Sequence, residues 1–245
     1  MKQAYGQFVI TTDQEDKFFG ELAKEYRLYI RQEVKKMNRV LLSTKETAEA
    51  GEVVGQPYQY FVDRVHALIL MDERFIGEVL HSPNHWLDQQ SPAQYLANLD
   101  STQEVFRFLM TALKHKLSLV FEWAVNEVKE QTDVLELLMD LALDCAQWIS
   151  KVNHHDLSET SGKSTLARRD KEEALLRKYY DKETTIISVF STLEQIHFDS
   201  MPGRVAEILK LLNDGSSVMN FGMSILEKYP DHEKRFPSGN PYSGE

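Results

Sequence analysis

The chain has 245 residues, of which 42% are hydrophobic and 27% charged, and these values are typical of a globular protein. The formal net charge of −10 argues against extensive nucleic-acid binding, which needs a net basic surface, and it suits a basic partner. No apolar run is long enough to span a bilayer, and the first residues contain no apolar signal core.

The cysteine content excludes an internal disulfide framework, because Cys145 is the only cysteine. It lies among apolar residues of a predicted helix, which favours a buried free thiol in a reducing compartment. We therefore expect a cytoplasmic protein with no membrane association.

Apolar residues recur at helical spacing along most of the chain, and we find no strand-type alternation, so the sequence predicts an all-α fold. We expect a bundle of about seven to nine helices. Their predicted ranges are about 13–48, 58–81, 92–98, 102–130, 133–153, 166–198 (with a break near Asp181), 203–213 and 216–228. Met201-Pro202-Gly203 is predicted to interrupt the chain before the last two helices.

The helix predicted over 133–153 is apolar on most of its circumference, which predicts burial on most sides at the centre of the bundle. Its polar residues form a narrow seam that contains Asp133, Glu136, Asp140 and Asp144. Helical carboxylates can bind magnesium, but we favour a solvated strip. We expect one domain over 1–229, with a candidate subdomain boundary at 156–165 and a mobile tail over 230–245.

Histidines and an aspartate follow this helix, in the run Asn-His-His-Asp-Leu-Ser-Glu at 153–159. The run resembles the His-Asp-x-Ser-Glu segment of HD-type metal-dependent phosphohydrolases. The resemblance implies a divalent metal bound by His115, His154 or His155, Asp156 and Asp214, and a metal-activated water that attacks a nucleotide or another phosphoester. The alternative is that His154 and His155 terminate a helix, where an imidazolium suits the helix dipole.

Two Glu-x-x-His spacings, Glu78/His81 and Glu194/His197, provide a second candidate metal site. Residues at i and i+3 share one face of a helix, and di-metal carboxylate bundles use two such pairs. Glutamates from two other helices would complete the set, from among Glu25, Glu33 and Glu122. About one such spacing is expected by chance in a chain of this composition.

The loop over 81–95 contains His81, His85, Trp86 and Tyr95, and it is either a ligand-binding loop or a loop anchored by Trp86 in the core. The sequence as a whole favours a helical protein-interaction or regulatory protein without catalysis of its own, which binds another protein or itself. The alternatives are an HD-like metal-dependent phosphohydrolase and a di-metal carboxylate bundle.

Overall fold

The computed structural model describes residues 12–49, 73–155, 166–212 and 216–229, and these residues are helical apart from short connections. They contain no β-strand, and their only strand-like feature is an isolated antiparallel bridge between Asn84 and Gln90. The predicted all-α, multi-helix fold is therefore confirmed. None of the helices in these ranges is both long and apolar enough to cross a membrane.

The helix boundaries agree with most of the predicted ranges. The second helix, α2, is described over 73–81, and the first part of its predicted range, 58–72, lies outside the described residues. The others are α1 (Asp13–Glu49), α3 (Pro92–Ala97), α4 (Thr102–Lys114), α5 (Ser118–Glu127), α6 (Thr132–His155), α7 (Leu166–Gln195), α8 (Met201–Leu209) and α9 (Ser217–Glu227), with a 3₁₀ turn at His85–Leu87 between α2 and α3.

The chain divides into two compact units, Met1–Ala124 and Val125–Glu245, which we call the first and the second unit. The division falls within α5. The candidate boundary at 156–165 and the tail at 230–245 lie outside the described residues, so the expectation of one domain over 1–229 stays a prediction.

In the first unit, α1 begins at Asp13 because Thr12 caps it: the Thr12 hydroxyl oxygen accepts a hydrogen bond from the backbone N–H of Glu15, at 3.2 Å. Acidic residues in the first turn favour the same start through the helix dipole. The first turns of α1 bury Phe19 against Phe108 of α4, with the ring centroids 5.1 Å apart. The core of this unit is therefore built on the N-terminal part of α1.

The helix predicted over 102–130 is wrong, because α4 ends at Lys114 and α5 begins at Ser118. Lys116 has φ +60°, and the backbone N–H groups of Lys116 and Leu117 donate to the carbonyls of Leu113 and Ala112. This is the Schellman arrangement that ends many helices, usually with glycine in place of Lys116. Leu117 is itself buried, so the apolar spacing continues through the turn. The hydrophobic pattern of the sequence therefore gives no sign that the helix ends here.

In the second unit, α6 packs against α7 and α8, and its fully buried residues lie within about 140° of its circumference. The predicted burial on most sides is too broad, because Leu137, Leu141, Leu143 and Trp148 are only partly buried. Cys145 is fully buried, and burial raises the pKa of its thiol. The expected solvated seam holds only for the exposed Asp133 and Asp144. Asp140 is ion-paired with Arg204 of α8, and Glu136 accepts a hydrogen bond from the Ser200 hydroxyl at 2.6 Å.

Two further predictions about the second unit need correction. Helix α7 runs without a break past Asp181. Met201-Pro202-Gly203 does not interrupt the helices but forms the first turn of α8, where a proline is tolerated because the N–H groups of that turn have no partner within the helix. The interruption lies earlier, at His197, which has φ +55°.

A candidate binding cleft in the first unit

A buried ion pair fixes the start of α1 against α4. Arg107 donates from Nε to Oε2 of Glu15 and from Nη2 to Oε1, both at 3.0 Å, and the Glu15 side chain is fully buried. The Tyr95 hydroxyl donates to Oε1 of Glu15, also at 3.0 Å. Burial, and then the Glu15 carboxylate, raise the pKa of Tyr95. These contacts make the N-terminal turns of α1 a rigid support for the residues that follow.

Asp16 makes a second set of contacts with the end of α4. Its Oδ1 lies 2.6 Å from Nζ of Lys114 and 2.9 Å from Nε2 of His115. The hydrogen bonds from Lys114 and His115 lower the pKa of Asp16. The His115 ring also stacks on Phe19, with the centroids 6.5 Å apart. His115 therefore has a packing role at the end of α4, with one ring nitrogen engaged by Asp16.

The remaining residues of the predicted phosphohydrolase site lie where their side chains are not described. His154 and His155 are the last residues of α6, and Asp156 and Asp214 lie outside the described residues. Among the described residues, no three His, Cys, Asp or Glu side chains form a group that could hold a metal ion. The site formed by His115, His154, His155, Asp156 and Asp214 stays a prediction.

The two Glu-x-x-His pairs are engaged in other contacts or exposed. Oε1 of Glu78 accepts a hydrogen bond from Nε of Arg74 at 3.0 Å, and Oε1 of Glu194 lies 2.5 Å from Nζ of Lys228. His81 is the last residue of α2, His197 lies two residues beyond the end of α7, and both are exposed. The two pairs belong to different units, Glu78/His81 to the first and Glu194/His197 to the second. The di-metal interpretation also stays a prediction.

A cleft of about 560 Å³ lies between α1, α2 and the residues that follow α2. Its floor is apolar, and its rim carries carboxylates. The floor is formed by Phe18 and Leu22 of α1 and by Phe75 and Val79 of α2. The rim is formed by Glu21 and Glu25 of α1 and by Glu78 of α2. Each pair on α1 is spaced i, i+4, which places its two members on one face of the helix. Further contacts come from Ser82, Pro83, Asn84, His85 and Trp86.

Aromatic packing holds α2 beside α1. The Phe75 ring stacks on Tyr29 with a centroid distance of 6.0 Å and an interplanar angle of 2°, and it lies 6.3 Å from the Tyr26 ring. Phe18 and Leu22 are buried, whereas Phe75 and Val79 are only partly buried. The floor of the cleft is therefore an apolar surface on two packed helices, part of which remains accessible.

The rim of the cleft is acidic. Glu21 accepts a hydrogen bond from Lys24 at 3.4 Å, and Glu78 pairs with Arg74, but these partners are exposed and do not line the cleft. Glu25 is exposed. Exposed ion pairs are weak and exchange readily. The rim can therefore accept a cation from a ligand.

The wall of the cleft formed by His85 and Trp86 belongs to a tightly bonded loop. The Asn84 side-chain oxygen accepts a hydrogen bond from the backbone N–H of Trp86 at 2.8 Å, and the Asn84 backbone N–H donates to the carbonyl of Gln90 at 2.9 Å. Leu87 is fully buried and anchors the loop. Of the two interpretations of this loop, anchoring by Trp86 is the less well supported, because Leu87 is fully buried whereas Trp86 is only partly buried and lines the cleft.

The loop also contains two consecutive residues in the left-handed region, Asp88 with φ 55° and Gln89 with φ 65°. Such conformations are strained for residues other than glycine and persist where surrounding contacts enforce them. One such contact joins the loop to α1: Nε2 of Gln14 donates to Oδ1 of Asp88 at 2.9 Å. Lys17 of α1 makes a cation–π contact with the Trp86 ring, with its Nζ 5.5 Å from the ring centroid.

The sequence pointed to this region through the loop at 81–95 but did not group the cleft residues. Glu21, Glu25 and Glu78 are ordinary charged residues of amphipathic helices, and nothing in their spacing indicates that α1 and α2 face each other. Comparisons with protein families, with curated proteins and with solved structures gave no match to this chain.

Proposed function

We propose that the chain is a helical protein-interaction protein without intrinsic catalysis, and that its first unit binds a basic, amphipathic segment of a partner protein in the cleft between α1 and α2. The observation that carries this proposal is the combination of an apolar floor, an acidic rim and aromatic walls in one cleft. An amphipathic helix that lays its apolar face in a groove between helices is a common mode of peptide recognition.

The size and shape of the cleft suit side chains from a peptide. Its volume lies within the range of 300–1,000 Å³ that is usual for ligand sites. The apolar floor residues Phe18 and Leu22 are one helical turn apart, so they match apolar ligand side chains that repeat at a similar spacing.

The charge of the rim selects the class of ligand. Three carboxylates, from Glu21, Glu25 and Glu78, favour a cation and repel phosphate groups, and the chain as a whole carries a net charge of −10. A segment with lysine or arginine beside leucine-type residues satisfies both the rim and the floor. Nucleic acids and anionic lipid surfaces do not, because their phosphates would approach the carboxylates.

The proposal can be tested with a fluorescein-labelled peptide of about 14 residues, or about four helical turns, that contains leucine at helical spacing and lysine at the flanking positions. Fluorescence anisotropy measures its binding to the full chain. We expect the triple variant Glu21→Gln, Glu25→Gln, Glu78→Gln to bind roughly tenfold more weakly, since each exposed ion pair contributes about 0.2–1 kcal/mol.

A matched control removes the same number of charges from exposed glutamates of the second unit, in the variant Glu127→Gln, Glu130→Gln, Glu227→Gln. It should bind the peptide as the unmodified chain does. A second control replaces each lysine of the peptide with glutamate, and this peptide should not bind. The proposal fails if the lysine peptide does not bind, or if the two triple variants bind it with equal affinity.

A further inference from the structure

Lys17 and Trp86 form a cation–π contact at the edge of the cleft. Nζ of Lys17 lies 5.5 Å from the centroid of the Trp86 ring, within the distance at which an ammonium group is attracted to an aromatic face. Lys17 is exposed, and Trp86 is a wall of the cleft. The ammonium group of Lys17 therefore occupies the same aromatic ring, Trp86, that lines the candidate binding cleft.

The position of Lys17 on α1 places this ammonium group beside the acidic rim. Lys17 immediately precedes Phe18 of the floor and lies one helical turn before Glu21 of the rim, on the same face of α1. An aromatic ring and carboxylates together form an environment that favours a lysine or arginine side chain. Lys17 occupies the aromatic part of that environment.

We propose that Lys17 is an internal competitor for the ligand, and that a lysine or arginine side chain of the bound segment replaces it on the Trp86 ring. This inference rests on the proposed function, because it concerns the same cleft and the same basic ligand. Lys17 then favours segments that carry a suitably placed cation. A segment without one would displace Lys17 from the Trp86 ring and make no cation–π contact in its place.

The loop that carries Trp86 supports such an exchange. Trp86 is held through its backbone by the Asn84 side chain, and its neighbour Leu87 is fully buried. Neither contact involves Lys17, so the backbone that carries the ring stays anchored when Lys17 leaves it. The exchange also conserves charge at the ring, because one exposed cation replaces another.

The first test is Lys17→Met, which keeps the length of the side chain and removes its charge. With the lysine–leucine peptide, we expect binding to tighten roughly two- to fivefold, as the loss of a competing exposed cation–π contact implies. Lys35→Met is the matched control, because Lys35 is an exposed residue of the same helix. It lies about 27 Å along the helix from Lys17, at 1.5 Å per residue, which is well beyond the Debye length of about 8 Å at physiological salt.

The removal of a positive charge near the rim could tighten binding without any role for the ring, and a double-mutant cycle separates the two effects. In a Trp86→Leu background, Lys17→Met should tighten binding less than in the unmodified background, because only the through-space effect of the charge remains when the ring is absent. Thermal unfolding verifies that each variant is folded. The inference is wrong if Lys17→Met tightens binding equally in both backgrounds, or no more than Lys35→Met does.

A measurement on the unmodified chain does not depend on the folding of any variant. In the free protein, the ring current of Trp86 should shift the proton resonances of the Lys17 εCH₂ group upfield, and saturation with the peptide should return them to ordinary lysine positions. If the peptide binds and these resonances stay shifted, Lys17 is not displaced and this inference fails, while the proposed function stands. If the peptide does not bind, the proposed function itself has failed.

Discussion

Glu15 and Arg107 meet through two parallel hydrogen bonds of 3.0 Å, and the carboxylate is completely removed from solvent. Residues 92 positions apart in the sequence thereby join the first turn of α1 to α4. Since the cleft uses residues of the next turns of α1, this ion pair determines the position of one side of the candidate site. The stability of the first unit should depend strongly on it.

We expect Arg107→Met to lower the free energy of unfolding by about 3–5 kcal/mol, because it leaves the Glu15 carboxylate buried without its cation. Denaturant titration measures the change. The double variant Glu15→Leu, Arg107→Met should recover much of the loss, since both charges are then absent. If the single variant unfolds with the same free energy as the unmodified chain, the ion pair does not have this role.

Burial should make Glu183 a source of pH dependence in the second unit. Glu183 is only 8% exposed, and burial raises the pKa of its carboxyl group. A raised pKa in the folded state means that ionisation disfavours folding, so this carboxylate lowers stability above its folded pKa. The penalty disappears as the pH falls below the unfolded value of about 4.3, where the group is protonated in both states.

Glu183→Gln should therefore be more stable than the unmodified chain at pH 7, and the difference should shrink towards zero near pH 4. Denaturant titrations at a series of pH values measure this trend. Glu173→Gln is the control, because Glu173 is an exposed residue of the same helix paired with Arg177. A Glu183→Gln variant that is less stable at pH 7 would contradict the prediction.

Gly222 allows α8 and α9 to approach closely. A Cβ atom at this position would lie 2.7 Å from Cδ2 and 2.9 Å from Cδ1 of Leu209. We expect Gly222→Ala to destabilise the chain by about 1 kcal/mol, because the overpacking cost of about 1–3 kcal/mol exceeds the gain in helix propensity.

Gly77→Ala is the matched control, since no described atom lies within 4 Å of the position that its Cβ would occupy. This substitution should raise stability by about 0.5–1 kcal/mol through helix propensity alone. Thermal and denaturant unfolding of both variants would verify the opposite signs. Equal effects would show that the contact with Leu209 relaxes without cost.

The strained loop gives a prediction about backbone conformation. Gln89 has φ 65°, which glycine adopts readily, so Gln89→Gly should stabilise the chain by up to about 1 kcal/mol. Gln90→Gly, at the neighbouring residue without a positive φ, should be neutral or destabilising. Melting temperatures compare the two. A less stable Gln89→Gly variant would show that side-chain contacts of Gln89 outweigh the strain.

The helices were predictable because apolar spacing and caps act locally. Ser91 and Ser101 both form capping boxes, and the helices that follow them begin at the predicted residues, 92 and 102. The turn after α4 was not predictable, because Lys116 adopts a left-handed conformation without a glycine to indicate it, and the buried Leu117 continues the apolar pattern. Tertiary contacts overrode the local signal there.

The cleft was only partly predictable for a similar reason. The unusual composition of the loop at 81–95 indicated a candidate site, but a sequence does not show that Phe75 packs on Tyr29 or that Glu78 lines the same cleft as Glu21 and Glu25. The seam of α6 illustrates the same limit, since the partner of Asp140 is Arg204, 64 residues later in the chain. Pairing between distant helices is set by packing rather than by spacing.

Cys145 has a practical consequence as the only thiol in the chain. Because it is fully buried in the second unit, an alkylating reagent can reach it only when the helices around it open. The rate of labelling under native conditions therefore measures that opening, and the first unit contributes no signal of its own. The chain thus contains a built-in reporter that distinguishes the unfolding of its second half from that of its first.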